Sequence, residues 1–335
     1  MSLRSIFRRV FGSEQVFDSF KDRILERLIP SLAAVARKYT QAGAPLAGKY
    51  FRLWERHGVH LTPVHFYQPL PDTRTLPDEL WQWPSAMSGI DMNEAAQLEL
   101  LRGFSQFRLE YDQFPSAPTG NPHEFHFNNG MFDGTDALVF YCLVRHFRPR
   151  RIIEVGCGFS SRVAAMAAML NGDTELICIE PYPPPLLETL PGLTELIAKP
   201  VQEVKLEVFS QLEANDILFI DSSHVVKCGS DVNYLYLDVL PRLQPGVLVH
   251  SHDIFLPMEM PRNLMTDYGF FWNEQYLLQA FLTYNAEFEV LFANAWMGVG
   301  HPREMRETFP KAQPFWGGGS FWLRRKNNQA SGNSE

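Results

Sequence analysis

The chain has 335 residues, of which 45% are apolar and 20% charged, and its formal net charge is −8 at pH 7. This length and composition are typical of a globular protein with one large domain or two modest ones. The negative charge argues against a nucleic-acid partner, because a nucleic-acid-binding face needs clustered Lys and Arg. No window of the sequence predicts a transmembrane helix. The four cysteines are scattered without a CxxC pair, so we expect reduced thiols in a cytoplasmic protein.

The first 130 residues predict helices and loops. Apolar positions recur at helical spacing from Glu14 to about Lys38, and Pro30 is expected to end one helix and begin the next. A proline-rich stretch over 57–75 predicts a loop placed over an active site. Its histidines lack the spacing of a zinc cluster: His57, His60 and His65. We expect residues 1–130 to form a cap that could serve as an acceptor-binding lid, while contact of the basic N-terminus with a membrane or a partner stays open.

Beyond residue 130, apolar strands alternate with helical stretches. This alternation predicts an α/β domain over 131–326, with a doubly wound, mostly parallel seven-stranded sheet, and a disordered polar tail over 327–335. The predicted strands are 151–156, 175–181, 195–198, 216–222, 246–253, 287–293 and 319–325. The predicted helices are 134–147, 160–171, 185–190, 203–212, 230–241 and 273–285.

A glycine turn follows the first predicted strand. Gly156 and Gly158 remove the Cβ atoms that would keep backbone N–H groups from a ligand at a helix N-terminus. A dinucleotide turn needs a third glycine, where this chain has Ser161. Glu154 precedes the turn, and a carboxylate there suits a cationic sulfonium amino acid better than a pyrophosphate. Glu180, at the end of the second strand, is placed to accept hydrogen bonds from ribose hydroxyls.

The segment Glu154-Val-Gly-Cys-Gly-Phe-Ser160 resembles the first motif of the class I S-adenosylmethionine-dependent methyltransferases, and Glu180 matches their ribose acid. The resemblance covers roughly residues 135–326. It implies a Rossmann-like fold with S-adenosylmethionine as the cofactor. The cofactor contacts that it implies are Glu154, Gly156, Cys157, Gly158, Ser160, Ser161, Glu180 and Gln202.

Polar residues also end the fourth and fifth predicted strands. Asp221 and His224 follow one, and His252 and Asp253 follow the other, so all four are expected at the same edge of the sheet. Strand alternation would turn His252 and Asp253 to opposite faces, so both can meet one ligand only if the strand has ended by then. A histidine could remove a hydroxyl proton, and a divalent cation could lower the pKa of the hydroxyl.

This second group resembles the cation-dependent O-methyltransferases, especially the macrocin-type sugar O-methyltransferases. The resemblance implies Asp221 as a metal ligand and His224 as the catalytic base. The chain departs from the pattern with His252-Asp253 where the family has two acids, so the predicted metal site is Asp221, His252 and Asp253. The ion would be Mg²⁺ or Mn²⁺, and a histidine ligand tilts the preference away from Mg²⁺. For His224 and His252, a purely structural role stays open.

The sequence thus predicts O-methylation of a small-molecule hydroxyl, on a sugar or a secondary metabolite. A stretch after strand five could line the acceptor pocket, although its apolar members could equally belong to the core: Trp272, Asn273, Glu274 and Tyr276. Two alternatives stay open, namely a relative with another reaction, such as the cephalosporin-hydroxylase-type group, and a non-catalytic binding protein. A homo-oligomer is also open.

Overall fold

The computed structural model describes residues 14–40, 47–312 and 317–327. The chain divides into two compact units, residues 1–77 and 78–335. Residues 78–130 therefore lie in the same unit as the sheet, and the cap of residues 1–130 stays a prediction about function. Of the predicted tail, residues 328–335 lie outside the described part, as does the basic N-terminus. No described helix is both long enough and apolar enough to cross a membrane.

The described part of the first unit contains two helices, Glu14–Thr40 and Ala47–Glu55. Pro30 lies inside the longer one, so the prediction that it separates two helices is wrong. A proline removes one helical hydrogen bond and crowds the preceding turn, at a cost of about 3 kcal/mol. Strong helix formers on both sides, including Leu, Ala, Glu and Arg, let the helix continue through it. Residues 57–75 contain no helix or strand, as their prolines predicted.

The second unit is built on a seven-stranded sheet. Its strands are β1 (Arg151–Val155), β2 (Glu175–Ile179), β3 (Leu193–Ile197), β4 (Ile217–Ile220), β5 (Leu248–Ser251), β6 (Phe288–Ala293) and β7 (Phe321–Arg325). Their order is β3-β2-β1-β4-β5-β7-β6. The first five strands pair in parallel, and β7 runs antiparallel between β5 and β6. The predicted doubly wound, mostly parallel sheet is confirmed.

Helices connect and cover these strands. The α-helices are Glu94–Phe104, Arg108–Tyr111, Gly134–Phe147, Phe159–Asn171, Leu206–Phe209, Asp231–Asn233, Arg262–Thr266, Glu274–Leu282, Asn294–Gly300 and Pro302–Thr308. A π-helical segment, Tyr234–Val239, continues the Asp231–Asn233 helix. Short 3₁₀ turns occur at Asp78–Trp81, Ser105–Phe107, Leu187–Thr189, Val201–Glu203 and Leu240–Arg242.

Two predicted helices are largely absent. The segment 185–190 forms only the 3₁₀ turn Leu187–Thr189, because the prolines at 181 and 183–185 lack amide donors and hold their neighbours out of the helical conformation. The segment 203–212 keeps only the single helical turn Leu206–Phe209.

The sheet separates two hydrophobic cores. Ile152 belongs to one and its neighbour Ile153 to the other, as expected when successive side chains of a strand point to opposite faces. The Gly134–Phe147 and Phe159–Asn171 helices pack in the first core, where Phe140 stacks on Phe219 with ring centroids 4.4 Å apart. Both faces of the parallel strands are therefore covered, which leaves their carboxyl ends as the place for a ligand.

The strand order reverses between β1 and β4. The chain builds outward from β1 through β2 to β3, and then returns to place β4 on the other side of β1. In sheets of this kind, ligands bind in the crevice at the carboxyl ends of the strands next to such a reversal. The turns after β1 and β4 border this crevice.

Candidate active site

The two glycines after β1 have different functions. Gly156 has a φ of 79°, and a Cβ there would lie 1.7 Å from the carbonyl oxygen of Asp221, the residue after β4. A Cβ on Gly158 would meet no atom within 4 Å. Gly156 is therefore required for the close approach of β1 and β4, whereas Gly158 leaves open space at the start of the Phe159–Asn171 helix.

The serines of this turn are held by internal hydrogen bonds. The Ser161 hydroxyl accepts a bond from the Gly158 amide at 3.0 Å, and the Ser160 hydroxyl donates to Glu154 Oε1 at 2.5 Å. Both serines are buried. Their hydroxyls shape the turn, and their predicted contacts with a cofactor stay predictions.

Glu154 lies beneath the turn and is fully buried. Burial raises the pKa of its carboxyl to about 8, although the hydrogen bond from Ser160 opposes the shift. At neutral pH this group is therefore mainly protonated. It does not offer a cationic amino acid the negative charge that the sequence suggested, and its contact with a cofactor stays a prediction.

Glu180 links the end of β2 to the glycine turn. Its Oε2 accepts a hydrogen bond from the Cys157 amide at 3.3 Å, and its Oε1 accepts one from the Tyr182 amide at 2.9 Å. The structure thus brings Glu180 to Cys157 in the glycine turn, as a ribose site beside the turn would need. Gln202 is exposed on the 3₁₀ turn Val201–Glu203.

A second group of side chains lies at the ends of β4 and β5. Donor atoms of Asp221, His224 and Asp253 all lie within 4.8 Å of one another. His224 Nε2 is 3.3 Å from Asp221 Oδ1 and 3.4 Å from Asp253 Oδ2. We call these three residues the acid–histidine cluster.

The cluster forms because both strands end early. β4 ends at Ile220 and β5 at Ser251, so the predicted strands 216–222 and 246–253 are too long. His224 and Asp253 then adopt left-handed conformations, with φ of 58° and 54°. Such a conformation costs a non-glycine residue about 1 kcal/mol or more and is found preferentially at functional sites. Strand alternation no longer applies to Asp253, which turns toward His224.

The predicted ligand His252 stands outside the cluster. Its Nε2 lies 4.0 Å from Asp253 Oδ1, and its ring lies against Phe132 with centroids 5.1 Å apart. Its Nδ1 is buried and has no hydrogen-bond partner among the described residues. The structure places His224, rather than His252, between the two aspartates.

Glu274 completes the surroundings of His224. Its Oε2 lies 3.0 Å from His224 Nδ1, and its Oε1 accepts a hydrogen bond from the Tyr236 hydroxyl at 3.0 Å. The side chain is almost wholly buried. The sequence suggested Glu274 only as an acceptor-pocket residue, because an acid at the start of a helix is common and does not predict a contact 50 residues away.

The loop that carries His224 is fixed by the same helix start. The carbonyl oxygen of His224 accepts bonds from the amides of Asn273 and Glu274 at 3.0 and 3.2 Å. The Asn273 side chain accepts a bond from the Val226 amide at 2.6 Å, and Trp272 packs on the His224 ring at 4.8 Å. The imidazole is therefore held in position before any ligand binds.

The carboxylates and the imidazole of the cluster stabilise each other's charged forms. Burial would lower the pKa of His224, but hydrogen bonds to Asp221 and Glu274 raise the pKa of His224 to about 10. Burial would likewise raise the pKa of Asp221, but the charge of His252 and the bond from His224 bring the pKa of Asp221 below its ordinary value. Three carboxylates thus surround one imidazole, and a divalent cation would neutralise their excess of negative charge.

A cavity of about 730 Å³ opens beside the cluster, with Asp253 and His252 in its wall. Its apolar lining includes Met131, Phe255, Met258 and Val299. The turn at 317–319 closes one side, and the sequence of this turn did not indicate a function. A Cβ on Gly318 would overlap the Asp136 carboxylate, which accepts bonds from the amides of Gly319 and Ser320 at 2.9 and 2.8 Å.

Two comparisons with known sequences give matches. Residues 153–254 match a family model described as a methyltransferase domain. Over 173 residues the chain is 35% identical to an uncharacterized protein of Archaeoglobus fulgidus, and the match covers 48% of this chain and 77% of that protein.

The solved structures that match this chain include two methyltransferases. The O-methyltransferase TomG from Streptomyces achromogenes, in complex with SAM, matches at 16% identity and a TM-score of 0.38, with 76% of this chain and 100% of its own covered. The SAH-bound methyltransferase PaMTH1 from Podospora anserina matches at 15% identity and a TM-score of 0.37, with 68% and 88% covered.

Proposed function

We propose that this chain transfers a methyl group from S-adenosylmethionine to a hydroxyl oxygen of a small molecule. The chain belongs to the same family as the Archaeoglobus fulgidus protein and contains a methyltransferase domain. The observation that carries the proposal is the contact between the two halves of the site. Gly156 packs on the backbone of Asp221, so the glycine turn directly adjoins the acid–histidine cluster.

The cofactor half consists of the glycine turn and Glu180. A Cβ on Gly158 would meet no atom within 4 Å, which supports a ligand at the helix N-terminus, and we propose that the Glu180 carboxylate binds two ribose hydroxyls. Glu154 supports the turn from beneath through Ser160. Gln202, exposed on the next turn, is proposed to lie at the adenine end.

The chemical half needs little beyond alignment, because a sulfonium methyl is already activated. In the transfer, the C–S bond of the sulfonium breaks and an O–C bond to the acceptor forms. The hydroxyl proton is released to solvent water, and S-adenosylhomocysteine leaves.

The acid–histidine cluster fits a divalent cation. It offers two carboxylates and an imidazole within 4.8 Å, and Glu274 holds the other imidazole nitrogen, an arrangement typical of histidines that bind metals. A bound Mn²⁺ or Mg²⁺ would lower the pKa of a coordinated hydroxyl and orient it. Asp221, His224 and Asp253 would hold the ion.

His224 suits the role of a ligand better than that of a base. With carboxylates on both nitrogens it is protonated at neutral pH, so it has no free lone pair to accept a hydroxyl proton. A cation that binds between Asp221 and Asp253 would replace this proton. Whether turnover depends on the metal distinguishes His224 as a metal ligand from His224 as a base.

Calorimetry with S-adenosylmethionine and S-adenosylhomocysteine tests the cofactor half. We expect one molecule to bind per chain, and we expect Glu180→Ala to weaken binding at least about tenfold through loss of the ribose hydrogen bonds. Glu195→Ala, on exposed β3, removes the same charge elsewhere and should leave binding unchanged. No heat at millimolar ligand, or undiminished binding by Glu180→Ala, would contradict the proposal.

Removal of the metal tests the chemical half. Turnover should fall on addition of a chelator and return with Mn²⁺ or Mg²⁺, and Asp253→Asn should lose this rescue. Turnover that is insensitive to the chelator, in a protein without bound metal by elemental analysis, would reject the cation and leave a base as the alternative.

A further inference from the structure

More acidic than basic side chains line the cavity beside the cluster. Its wall contains four carboxylates and one histidine, and none of the residues that line it is a Lys or Arg. The carboxylates are those of Asp133, Asp136, Asp253 and Glu259. A phosphate or carboxylate group on the acceptor would be repelled from this cavity.

Two of the four carboxylates serve the fold. Asp133 caps the Gly134–Phe147 helix through a 2.7 Å bond from the Gly134 amide. Asp136 is saturated by two amides of the 317–320 turn and by the Asn294 side chain at 2.8 Å. Asp253 belongs to the acid–histidine cluster. Glu259 alone has no other assignment.

Glu259 is held rigidly toward the cavity. Its Oε1 accepts bonds from the Met260 amide at 2.9 Å, from the Gln275 side chain at 2.9 Å and from the Tyr276 hydroxyl at 2.7 Å. No ion pair of Glu259 with a cationic side chain occurs among the described residues. Three bonds to one oxygen fix the carboxylate and leave Oε2 for another partner.

An independent feature marks the same cavity as a binding site. His252 lines it, is only 7% exposed, and has an Nδ1 without a hydrogen-bond partner in the described part of the chain. A buried polar atom without a partner is costly, by about 1–3 kcal/mol, so it is expected to find one in a ligand or an ordered water. His252 and Glu259 are thus two polar side chains of this wall that a ligand could contact.

We propose that the methyl acceptor is a small polyhydroxylated molecule that carries a cationic amine, which Glu259 binds while an acceptor hydroxyl lies at Asp253. This inference rests on the proposed methyl transfer. The amine is protonated and is not a nucleophile, so the methyl group goes to oxygen. The apolar wall, with Phe255 and Met258, would cover the carbon face of the acceptor.

The test uses three matched probes: the methyl glycosides of glucosamine, glucose and glucuronic acid. Binding of each to the cofactor-loaded protein is measured by ligand-observed NMR, and transfer is measured by mass spectrometry. We expect the glucosaminide to bind about tenfold more tightly than the glucuronide. Glu259→Gln keeps the shape of the side chain and should reduce that difference to about twofold, whereas the control Glu195→Gln on β3 should preserve it.

The outcomes separate the two proposals. Equal or tighter binding of the glucuronide, a preference retained in Glu259→Gln, or no binding of any probe would overturn the amine assignment. Methylation found on nitrogen would overturn it as well. If the glucosaminide is preferred but no probe is methylated, the amine site stands and the proposed transfer to a hydroxyl fails.

Discussion

Gly156 and Gly158 belong to one motif but meet different structural requirements. The first has no room for a side chain, because the backbone after β4 occupies the place of its Cβ. A Cβ on the second would meet no atom within 4 Å. The sequence motif does not distinguish the two glycines. Only the packing of β1 against β4 shows that Gly156 is required for folding, whereas Gly158 is available for ligand binding.

Alanine at each position should separate these effects. Gly156→Ala adds a Cβ against Asp221 at a positive φ, so we expect the free energy of unfolding to fall by about 3 kcal/mol or more. Gly158→Ala should remain within about 1 kcal/mol of the parent but bind S-adenosylhomocysteine more weakly. Chemical denaturation and calorimetry measure the two effects, and equal stability of both variants would refute the distinction.

Glu154 should make stability depend on pH. Its pKa of about 8 in the folded protein exceeds the ordinary value, so the folded state retains a proton that the unfolded state releases. The free energy of unfolding should therefore decrease as pH rises from about 4.5 to 8, by up to about 1.4 kcal/mol per pH unit.

Glu154→Gln cannot titrate and should lose this contribution. The difference between the two unfolding curves isolates the residue, because all other groups are shared. Glu195→Gln, on the exposed edge strand, serves as the control and should show the parent slope. A Glu154→Gln variant with the parent slope would show that Glu154 is already ionised in the folded protein.

The early ends of β4 and β5 create the acid–histidine cluster. The sequence predicted the order of strands and helices, because apolar runs and their spacing follow from burial on both sides of a parallel sheet. It also placed Asp221, His224, His252 and Asp253 at one edge. It assigned His252 to the metal and His224 to the base, whereas the structure places His224 between the two aspartates. That placement depends on where β5 stops and on the left-handed backbone at His224 and Asp253.

The contact between Glu274 and His224 could not be predicted from the sequence for a related reason. It joins a loop after β4 to a helix after β5, and no local pattern records this approach. The 317–319 turn is similar, since Gly318 is explained by the Asp136 carboxylate, which occupies the place of its Cβ, and a Cβ on Gly319 would lie against Asp253. Long-range contacts between irregular segments carry little periodic signal.

The first turn of the Glu274–Leu282 helix should control metal affinity. Glu274→Gln would leave His224 without its anionic partner, and we expect Mn²⁺ to bind about 10–100-fold more weakly by calorimetry. Gln279→Ala in the same helix loses only a bond to Ser85 and should bind Mn²⁺ normally. Unchanged Mn²⁺ affinity in Glu274→Gln would show that Glu274 merely supports the helix.

At the scale of the whole molecule, all the proposed site residues lie in the second unit, residues 78–335. The fragment 78–335 should therefore fold cooperatively and bind S-adenosylhomocysteine within about twofold of the full chain. If the first unit contributes to an acceptor lid, the fragment should lose acceptor kcat/KM while it retains cofactor affinity. A folded fragment without cofactor binding would show that the site is incomplete in the second unit.

The central claim is that the glycine turn and the acid–histidine cluster form one methyl-transfer site. A crystal structure with S-adenosylhomocysteine and Mn²⁺, with anomalous data at the manganese edge, tests it most directly. We predict the ribose on Glu180, the sulfur toward the ends of β4 and β5, and an anomalous peak among Asp221, His224 and Asp253. Cofactor density away from Glu180, or a manganese peak that excludes His224, would contradict the account.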